Sequence, residues 1–390
     1  MTFTSDPTTA AQRSAWDVVI IGAGPAGALA ALGLSRSGAS VLLVEKYDFP
    51  REKVCGGCLN GRALGVLESV GLGTLALQAG GTPIESFRLG QGGREWNLKL
   101  PAGMAVARGS FDQALVGAAI DSGTSFLPRT EARVASPSRE FLRVELEDGR
   151  ARRTVEARVV LLATGLSSRG IPGWARPGAR IAPRSRIGAG CFLDATSPDY
   201  PGGTIHMAVG RDGYVGLIRL ADGRLHAAAA IGPTALDGGT GPGPVADRIL
   251  REAGFPSLGG LQDARWKGTV ALTRQTRPLG DHRLLILGDA AGYVEPFTGE
   301  GIAWALESGR AIVPVVLRAL ERWEPSLVDQ WGEIHHRLVR HRQSFCRAAA
   351  IVLRRPVLVR AAFGAAAWIP GATAQVLQRM NTSRPLVEAS

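Results

Sequence analysis

The sequence predicts an α/β protein: a Rossmann-type parallel sheet with an inserted antiparallel sheet and C-terminal helices. First, residues 17–45 read as a buried strand, a glycine turn, a helix and a returning strand, which is the order of a parallel βαβ unit. Second, residues 171–275 contain short strands separated by proline and glycine turns, the pattern of an antiparallel sheet. Third, the chain beyond residue 326 is helical in pattern and rich in arginine.

The same patterns predict where the domains begin and end. Residues 1–15 are polar and are expected to form a disordered tail. Residues 16–170 and 276–325 are predicted to form one discontinuous dinucleotide-binding domain, because each contains apolar strands of the buried parallel type. The segment 171–275 between them is the predicted substrate-binding sheet domain, and residues 326–390 are the predicted C-terminal helical segment.

Composition and charge exclude several classes of protein. The 390 residues are 45% hydrophobic, which excludes a disordered chain, and four cysteines at unequal spacings do not make a disulfide framework. The net charge of +11 comes from arginines scattered along the chain, and no nucleic-acid-binding motif occurs, so no nucleic-acid partner is expected. The first residues do not resemble a signal peptide, and we expect a cytoplasmic protein.

A glycine motif of the form G-x-G-x-x-G follows the first predicted strand. Its members are Gly22, Gly24, Pro25, Ala26 and Gly27. The glycines permit a tight turn, let a pyrophosphate approach the backbone and let helix and strand pack closely, while amides at the helix start favour an anion. Glu45 ends the second strand, where a carboxylate accepts hydrogen bonds from ribose hydroxyls and repels a 2′-phosphate. The motif predicts a dinucleotide site that does not accept NADP.

A second motif, residues 287–292, follows another buried strand and distinguishes flavin from nicotinamide cofactors. Gly288 and Asp289 stand at its centre, and a carboxylate in this position can hold the ribityl hydroxyls of a flavin. The two motifs are far apart in the chain, which fits FAD spread between two parts of one domain. No histidine or cysteine stands in a familiar flavinylation context, so the sequence predicts FAD held without a covalent link.

The pairing of these motifs with the later stretch PFTGEGI (296–302) resembles the FAD-dependent aromatic-hydroxylase superfamily of flavin monooxygenases. Within it, residues 50–57 (PREKVCGG) are similar to the P-R-x-K-x-C-G-G stretch of geranylgeranyl reductase-like flavoproteins. The resemblance covers most of residues 16–320 and implies an FAD-dependent oxidoreductase. It implies further FAD contacts from Lys46, Arg51, Cys55, Gly56, Gly57, Arg108, Thr164, Gly165, Gly299, Glu300, Gly301 and Ile302.

The resemblance also implies how the protein tunes the flavin. Residues 299–301 would lie against the flavin pyrimidine, and helix-start amides there stabilise negative charge at N1 of the reduced ring. Two departures from the family pattern matter. Thr164 and Gly165 replace the Asp-Gly of related hydroxylases, which puts direct use of NADPH in doubt and leaves the electron donor open between NADPH and a reductase partner. Residues 213–218 replace the tryptophan motif of flavin halogenases, which argues against chlorination.

Three residues are candidates for catalysis. His206 and Tyr214 lie on strands expected to roof the flavin ring, where either can hydrogen-bond substrate or supply a proton, or be satisfied within the sheet. Cys55 is the third; with Cys58 it forms a C-x-x-C pair in a glycine loop, which is consistent with a redox disulfide or with two unlinked thiols. No second ligand pair follows at zinc spacing, and no metal site is expected.

These observations support an FAD-dependent oxidoreductase acting on an apolar small molecule. Reduction of a C=C bond by flavin hydride is the first hypothesis, because of the geranylgeranyl reductase-like stretch. The alternative is a monooxygenase that hydroxylates an aromatic or polyketide-type substrate through a flavin C4a-hydroperoxide. A flavin halogenase and a non-enzymatic prenyl-binding escort are further classes, although an escort would be expected to have lost the phosphate-binding glycines that this chain keeps.

The C-terminal segment alternates apolar runs with arginines between residues 345 and 380. Arginine side chains can bury their stems and keep their charge in water. The pattern fits helices that pack on the flavin domain or close over the substrate pocket, and it also fits peripheral contact with anionic lipid at a membrane. His335, His336 and His341 lie just before this segment and are expected to be solvated.

Overall fold

The computed structural model describes residues 13–347, except residues 168, 169, 195, 196, 296, 298 and 345. The predicted tail of residues 1–15 and the arginine-rich segment of residues 345–380 therefore lie almost entirely outside the described residues. Within the described part of the chain, no helix is both long and apolar enough to cross a membrane.

The strands form where apolar and β-branched residues concentrate or alternate. The first strand is buried along most of its length, as a parallel strand covered on both faces must be. In chain order the strands are β1 Ala15–Ile21, β2 Val41–Val44, β3 Cys58–Asn60, β4 Thr82–Pro83, β5 Ser86–Gln91, β6 Arg94–Lys99, β7 Gly103–Ala105, β8 Ser125–Leu127, β9 Glu131–Pro137, β10 Leu142–Glu147, β11 Arg152–Leu162, β12 Gly178–Ile181, β13 Ile187–Leu193, β14 Thr204–Val209, β15 Gly213–Arg219, β16 Leu225–Ile231, β17 Lys267–Ala271, β18 Arg274–Arg277, β19 Gly280–Asp281, β20 Leu284–Ile286 and β21 Gly292–Tyr293.

The helices bury apolar faces against the sheets and against one another. In chain order they are α1 Pro25–Arg36, α2 Gly61–Ser69, α3 Leu75–Gln78, α4 Arg108–Asp121, α5 Pro242–Ala253, α6 Gly301–Ala311, α7 Val313–Glu321 and α8 Ser326–His335. A π-helical turn, His336–Arg340, continues α8. The expectation that His335 is solvated is wrong, because the buried face of α8 extends to its last residue and the ring packs beside Trp331.

An eight-stranded sheet forms the base of the molecule, and it confirms the predicted Rossmann-type fold class. Its strands run in the order β8-β2-β1-β11-β20-β19, and the β9–β10 hairpin extends it from β11. Five adjacent strands of this sheet, β8, β2, β1, β11 and β20, run parallel to one another. The chain reverses its direction of travel across the sheet between β1 and β11, and a ligand crevice forms at the carboxyl ends of the strands at such a point.

A seven-stranded sheet, in the order β17-β13-β16-β15-β14-β5-β6, stands opposite the carboxyl ends of the parallel strands. The strands predicted within residues 171–275 are present, but β5 and β6 come from residues 86–99, outside the predicted insertion. The sheet is also mixed rather than purely antiparallel, because β5 pairs with β14 in parallel. Helix α5 covers its outer face with Val245, Ile249 and Leu250.

Glycines let helix α1 lie closer to its neighbours than other residues would allow. A Cβ at Gly27 would overlap the carbonyl oxygen of Gly22, and one at Gly309 in α6 would overlap the backbone of Ala26. These contacts hold the first turn of α1 directly against the end of β1. The N-terminus of the helix is thereby directed into the crevice between β1 and β11.

We expect Gly27→Ala to lower the free energy of unfolding by about 1–3 kcal/mol, because the added methyl group meets fixed backbone. Gly117→Ala is the matched control. Gly117 lies within α4, and apart from its chain neighbours and the backbone of its own helix no described atom stands within 4 Å of an added Cβ, so alanine should stabilise the helix there by roughly 0.5–1 kcal/mol. Urea unfolding at saturating FAD measures both changes. Equal stabilities of the two variants would contradict the close contact.

Candidate cofactor and substrate site

A cavity of about 1970 Å³ lies between the carboxyl ends of the parallel strands and the inner face of the seven-stranded sheet. The residues that follow β1, β2, β11 and β20 line one end of it. Residues of β13, β14, β15 and β16 line the other end. The cavity therefore runs without interruption from the glycine motif to the second sheet.

The glycine motif forms a cradle for phosphate at one end of the cavity. Gly22 follows β1 with a φ of 109°, and a Cβ there would overlap the carbonyl group of Ala163. Gly24 is the N-cap of α1 and Pro25 its first residue, so amides without intrahelical acceptors stand at the cavity wall. The Arg51 guanidinium lies beside Gly24, 3.7 Å from the position of a Cβ. Amides, helix dipole and guanidinium together suit a pyrophosphate.

Glu45 ends β2 and is 6% exposed. Its Oε2 accepts a hydrogen bond from the Ala23 amide at 3.2 Å, and its Oε1 accepts one from the Tyr47 amide at 3.2 Å. Arg51 Nη2 lies 3.3 Å from Oε2. Two backbone donors and one cation thus hold the carboxylate at the place where it can accept hydrogen bonds from ribose hydroxyls.

A chain of alternating charges continues from Glu45 along the cavity wall. Arg51 lies 3.4 Å from the fully buried carboxylate of Asp112, which accepts two hydrogen bonds of 2.9 Å from Arg108. Burial by itself would lower the pKa of Arg108. The interactions of its guanidinium with Asp112 and Cys55 are larger than this effect, and they raise the pKa above its ordinary value. Arg51 Nε has no hydrogen-bond partner among the described residues. An unpartnered buried guanidinium nitrogen beside a phosphate cradle fits a bound anion.

Asp289 lines the cavity after β20, next to a lysine that was not predicted as a contact. Lys53 Nζ lies 4.0 Å from Asp289 Oδ2. Burial lowers the pKa of Lys53, and the Asp289 carboxylate partly opposes this shift. The signal was present in the sequence, because Lys53 is the lysine of the PREKVCGG stretch. The pair places a carboxylate and a nearby cation where the ribityl chain of a flavin would pass.

The residues that follow the parallel strands line the end of the cavity that we call the cofactor part. The loop before α6 closes this part where the flavin ring of FAD would lie. Gly299 has a φ of 72°, and with Gly301 and Ile302 it lines the cavity. The side chain of Glu300 instead is buried in the wall, where its Oε2 accepts a hydrogen bond from Cys346 Sγ at 3.5 Å. Burial raises the pKa of Glu300. A side-chain contact between Glu300 and FAD is not supported, because its carboxylate faces away from the cavity.

Most of the predicted FAD contacts line the cavity. They are Gly22, Gly24, Pro25, Glu45, Lys46, Arg51, Cys55, Gly56, Arg108, Thr164, Asp289, Gly299, Gly301 and Ile302. The remainder are not among the lining residues: Ala26, Gly27, Gly57, Gly165, Gly288 and Glu300. Gly27 and Gly288 serve packing instead, since a Cβ at Gly288 would lie 2.8 Å from the Cβ of Ala26.

His206 does not face the cavity, which corrects its prediction as a catalytic candidate. Its ring lies against Tyr200 at 5.1 Å and Phe255 at 6.3 Å between ring centres, on the α5 side of the sheet. Alternate residues of a strand point to opposite faces, so its neighbours Ile205 and Met207 line the cavity in its place. Burial lowers the pKa of His206 to about 4.

Tyr214 and Cys55, the other catalytic candidates, both line the cavity. The Tyr214 ring packs edge-on against Phe297 at 5.3 Å between ring centres, and the Arg186 guanidinium lies 5.4 Å from the centre of the same ring. Cys55 lies beside Arg108, which hydrogen-bonds it. The structure therefore brings these two candidates to one cavity and separates His206 from them.

The end of the cavity beneath the second sheet is apolar. Its lining side chains, which were not predicted individually, include Phe87, Leu98, Leu100, Ile205, Met207, Ile218, Val270 and Leu272. Period-two alternation along β14 was a usable signal for two of them. Phe87 and Leu98 had no such signal, because β5 and β6 reach this site only through the pairing of β5 with β14.

Comparison with known proteins agrees with this site. Residues 15–172 match a family model described as an FAD binding domain. The menaquinone reductase of Mycobacterium tuberculosis is 30% identical over 347 residues, which cover 81% of this chain and 80% of that protein. The digeranylgeranylglycerophospholipid reductase of Methanosarcina acetivorans is 26% identical over 336 residues, covering 81% of this chain and 78% of that protein.

Solved structures share the fold at low identity. A flavoprotein/dehydrogenase from Cytophaga hutchinsonii superposes with a TM-score of 0.73 at 21% identity, covering 88% of this chain and 87% of that chain. A flavin-dependent brominase superposes with a TM-score of 0.76 at 17% identity, covering 94% and 93%. These likenesses establish the fold alone.

The fold and the site define an FAD-dependent oxidoreductase, as the motifs predicted. Within that class, the chain belongs to the family of flavoproteins that includes the menaquinone reductase of Mycobacterium tuberculosis. FAD bound by these residues would place its pyrophosphate at Gly22 and Gly24, its adenosine ribose at Glu45, its ribityl chain at Asp289 and its flavin ring at Gly299.

FAD is expected to copurify with the protein, and Asp289→Ala should weaken FAD binding by about tenfold or more, because the variant removes a charged hydrogen-bond acceptor. His206→Ala should change FAD affinity little, because the ring lies on the other side of the sheet. Flavin fluorescence titration of the two apoproteins measures both constants. Equal affinities, or a wild-type protein that takes up no FAD, would refute this placement of the cofactor.

Stability should fall as the pH is lowered from about 6.5 to about 4. Burial lowers the pKa values of His206, His226 and His335 to about 4, so between these limits the unfolded chain binds protons that the folded chain does not. His206→Phe, which keeps an aromatic ring beside Tyr200, should reduce the loss between pH 7 and pH 5 by roughly 1–2 kcal/mol. Urea unfolding at both pH values measures it, with the exposed His336→Gln as control. An unchanged pH dependence in His206→Phe would contradict the buried neutral ring.

Proposed function

We propose that this protein reduces a carbon–carbon double bond in an apolar, isoprenoid-type molecule with hydride from FAD. The observation that carries the proposal is the apolar part of the cavity, which is continuous with the cofactor part. The two relatives support it, because they are named as reductases of menaquinone and of a digeranylgeranyl lipid, and both names denote molecules with isoprenoid chains.

The size of the cavity supports two occupants. Pockets for a single drug-sized ligand usually measure about 300–1,000 Å³. At about 1970 Å³, this cavity exceeds that range. FAD at the glycine motif would therefore leave room beneath the second sheet for a long second molecule.

The distribution of charge favours an apolar second molecule. Charged side chains line the cavity mainly in its cofactor part. Lys267 on the edge strand β17 is an exception, and its Nζ donates to Glu52 Oε2 at 2.6 Å. A charged substrate group beneath the sheet would lose its hydration without gaining a counter-ion, whereas an isoprenoid chain loses nothing by leaving water.

Reduction of a C=C bond adds a hydride to one carbon and a proton to the other. FAD, when bound and reduced, supplies the hydride. The chain orients the double bond and excludes water. Three phenols line the cavity; Tyr47 lies beside Glu45, and Tyr214 and Tyr293, which pack in one apolar cluster with Met207, are the candidates for the proton. Burial holds the pKa of Tyr293 well above its ordinary value, so this phenol keeps its proton near neutral pH.

The reaction is tested by reducing the holoenzyme with dithionite under anaerobic conditions and adding menaquinone or a geranylgeranyl lipid. We expect mass spectrometry to show a gain of two hydrogens within the isoprenoid chain. Release of unchanged substrate anaerobically, with oxygen inserted into an aromatic compound once air is admitted, would overturn the proposal in favour of a monooxygenase.

Met207→Asp should lower the rate of this reduction by about tenfold or more, because it places a carboxylate among apolar side chains that contact the substrate. Met207→Leu is the matched control and should keep most of the activity. Both variants should bind FAD as the wild type does. Activity is measured as product formation at equal FAD content. Full activity of Met207→Asp would show that the substrate does not bind in the apolar part of the cavity.

A further inference from the structure

A C-x-x-C pair lies at the junction of the cofactor and substrate parts. Cys55 and Cys58 both line the cavity, both are partly exposed, and neither forms a disulfide with another described cysteine. Two glycines separate them, and Gly57 has a φ of 67°, which favours glycine. A Cβ at Gly299 would lie 3.9 Å from that of Cys58, so the pair stands beside the loop assigned to the flavin ring.

The two thiols have different environments. Cys55 is hydrogen-bonded by the Arg108 guanidinium, on the side of the loop that faces the cofactor part of the cavity. Cys58 Sγ donates a hydrogen bond to the Gly56 carbonyl at 3.2 Å and packs among apolar side chains that include Ile84 and Ile218. Burial, and the charge of Cys55 close to it, raise the pKa of the Cys58 thiol far above its ordinary value. The two thiols therefore differ: Cys55 lies against a guanidinium, and Cys58 lies among apolar side chains and keeps its proton.

A buried histidine lies beneath the loop that joins the two thiols. His226 on β16 is 3% exposed, and its ring is stacked on Phe192 with 4.5 Å between ring centres. Its Nδ1 has no hydrogen-bond partner in the part of the chain that the structure describes, and it lies 2.7 Å from the position of a Cβ on Gly57. Burial lowers the pKa of His226 to about 4, so the imidazole is neutral near pH 7 and adds no positive charge beneath the loop.

We propose that Cys55 and Cys58 form a thiol–disulfide exchange centre that opens into the cofactor cavity and reacts with an external dithiol/disulfide compound. In the oxidising direction, the Cys55 thiolate attacks an external disulfide, forms a mixed disulfide and releases one thiolate. The released external thiolate then takes the proton of Cys58, and Cys58 Sγ attacks Cys55 Sγ; the Cys55–Cys58 disulfide forms, the mixed disulfide breaks, and the second external sulfur leaves as a thiolate that is protonated by solvent. The protein loses two electrons and the external disulfide gains them; an external dithiol reverses both steps.

The remaining cysteines provide an internal comparison. Cys191 is buried in the seven-stranded sheet, and burial raises its pKa to about 12. Cys346 is buried against Glu300. Neither lines the cavity, and neither has a second cysteine three positions away, as Cys55 and Cys58 have. The exchange chemistry is therefore expected at Cys55 and Cys58 alone.

The test is to equilibrate the FAD-loaded protein in buffers of reduced and oxidised dithiothreitol and to trap free thiols with iodoacetamide. Peptide mass spectrometry then reports each cysteine. We expect one transition in which Cys55 and Cys58 become linked, while Cys191 and Cys346 stay alkylatable after unfolding. No Cys55–Cys58 disulfide at any dithiothreitol ratio would overturn the proposal. This readout does not depend on substrate reduction, so it can fail or succeed independently of the proposed function.

Single variants test the order of attack. With oxidised glutathione at pH 7, Cys58→Ser should accumulate a stable mixed disulfide at Cys55, because the resolving thiol is absent. Cys55→Ser should form the corresponding adduct at Cys58 about tenfold more slowly, because the raised pKa of that thiol leaves little of the reactive thiolate. Equal rates, or a faster reaction at Cys58, would contradict the assigned roles. Circular dichroism and urea unfolding check that both variants are folded, because Cys55 itself lines the cofactor part of the cavity.

Discussion

The backbone contact between the first turn of α1 and the end of β1 is the constraint on which the rest of the site depends. Because Gly27 has no side chain, α1 can approach the Gly22 carbonyl, and because Gly22 has none, the turn can approach Ala163 at the end of β11. These approaches direct the helix N-terminus into the crevice of the parallel sheet. The phosphate cradle, Glu45 and Asp289 then meet there, since all of them follow carboxyl ends of parallel strands.

Buried charges in the cofactor part are arranged in opposite pairs. Glu45, Arg51, Asp112 and Arg108 alternate in sign along one wall, so each carboxylate is compensated by a neighbouring guanidinium. Behind the wall, Arg62 forms a two-bond ion pair with Glu307, which ties α2 to α6. Removing one side chain of such an ion pair leaves the other charge without a counter-ion in the protein interior, which solvates charges poorly. The unpartnered Nε of Arg51 is the local exception, and it lies where a phosphate belongs.

The cavity joins two chemically different halves, and each half is built by a different sheet. The parallel sheet supplies amides and charged side chains, which bind a polar dinucleotide. The seven-stranded sheet supplies apolar side chains from alternate positions of its strands. The C-x-x-C loop lies between the halves, with its cysteines at the wall and His226 of the second sheet beneath it.

The sequence by itself determined the parts of this protein that depend on local backbone geometry. Gly22, Gly24 and Gly27 predicted the tight turn and the phosphate cradle, because a close approach of two backbones requires glycine at particular positions. The apolar runs predicted β1, β2 and β20, because a strand buried on both faces is apolar at consecutive residues. The motif stretches also predicted most residues of the cofactor wall.

Only the tertiary structure decided which strands share a sheet and which face each side chain occupies. It added Phe87 through the pairing of β5 with β14, it added Lys53 beside Asp289, and it turned His206 away from the cavity. Such outcomes depend on contacts between residues distant in the chain, and a one-residue change of register exchanges the two faces of a strand.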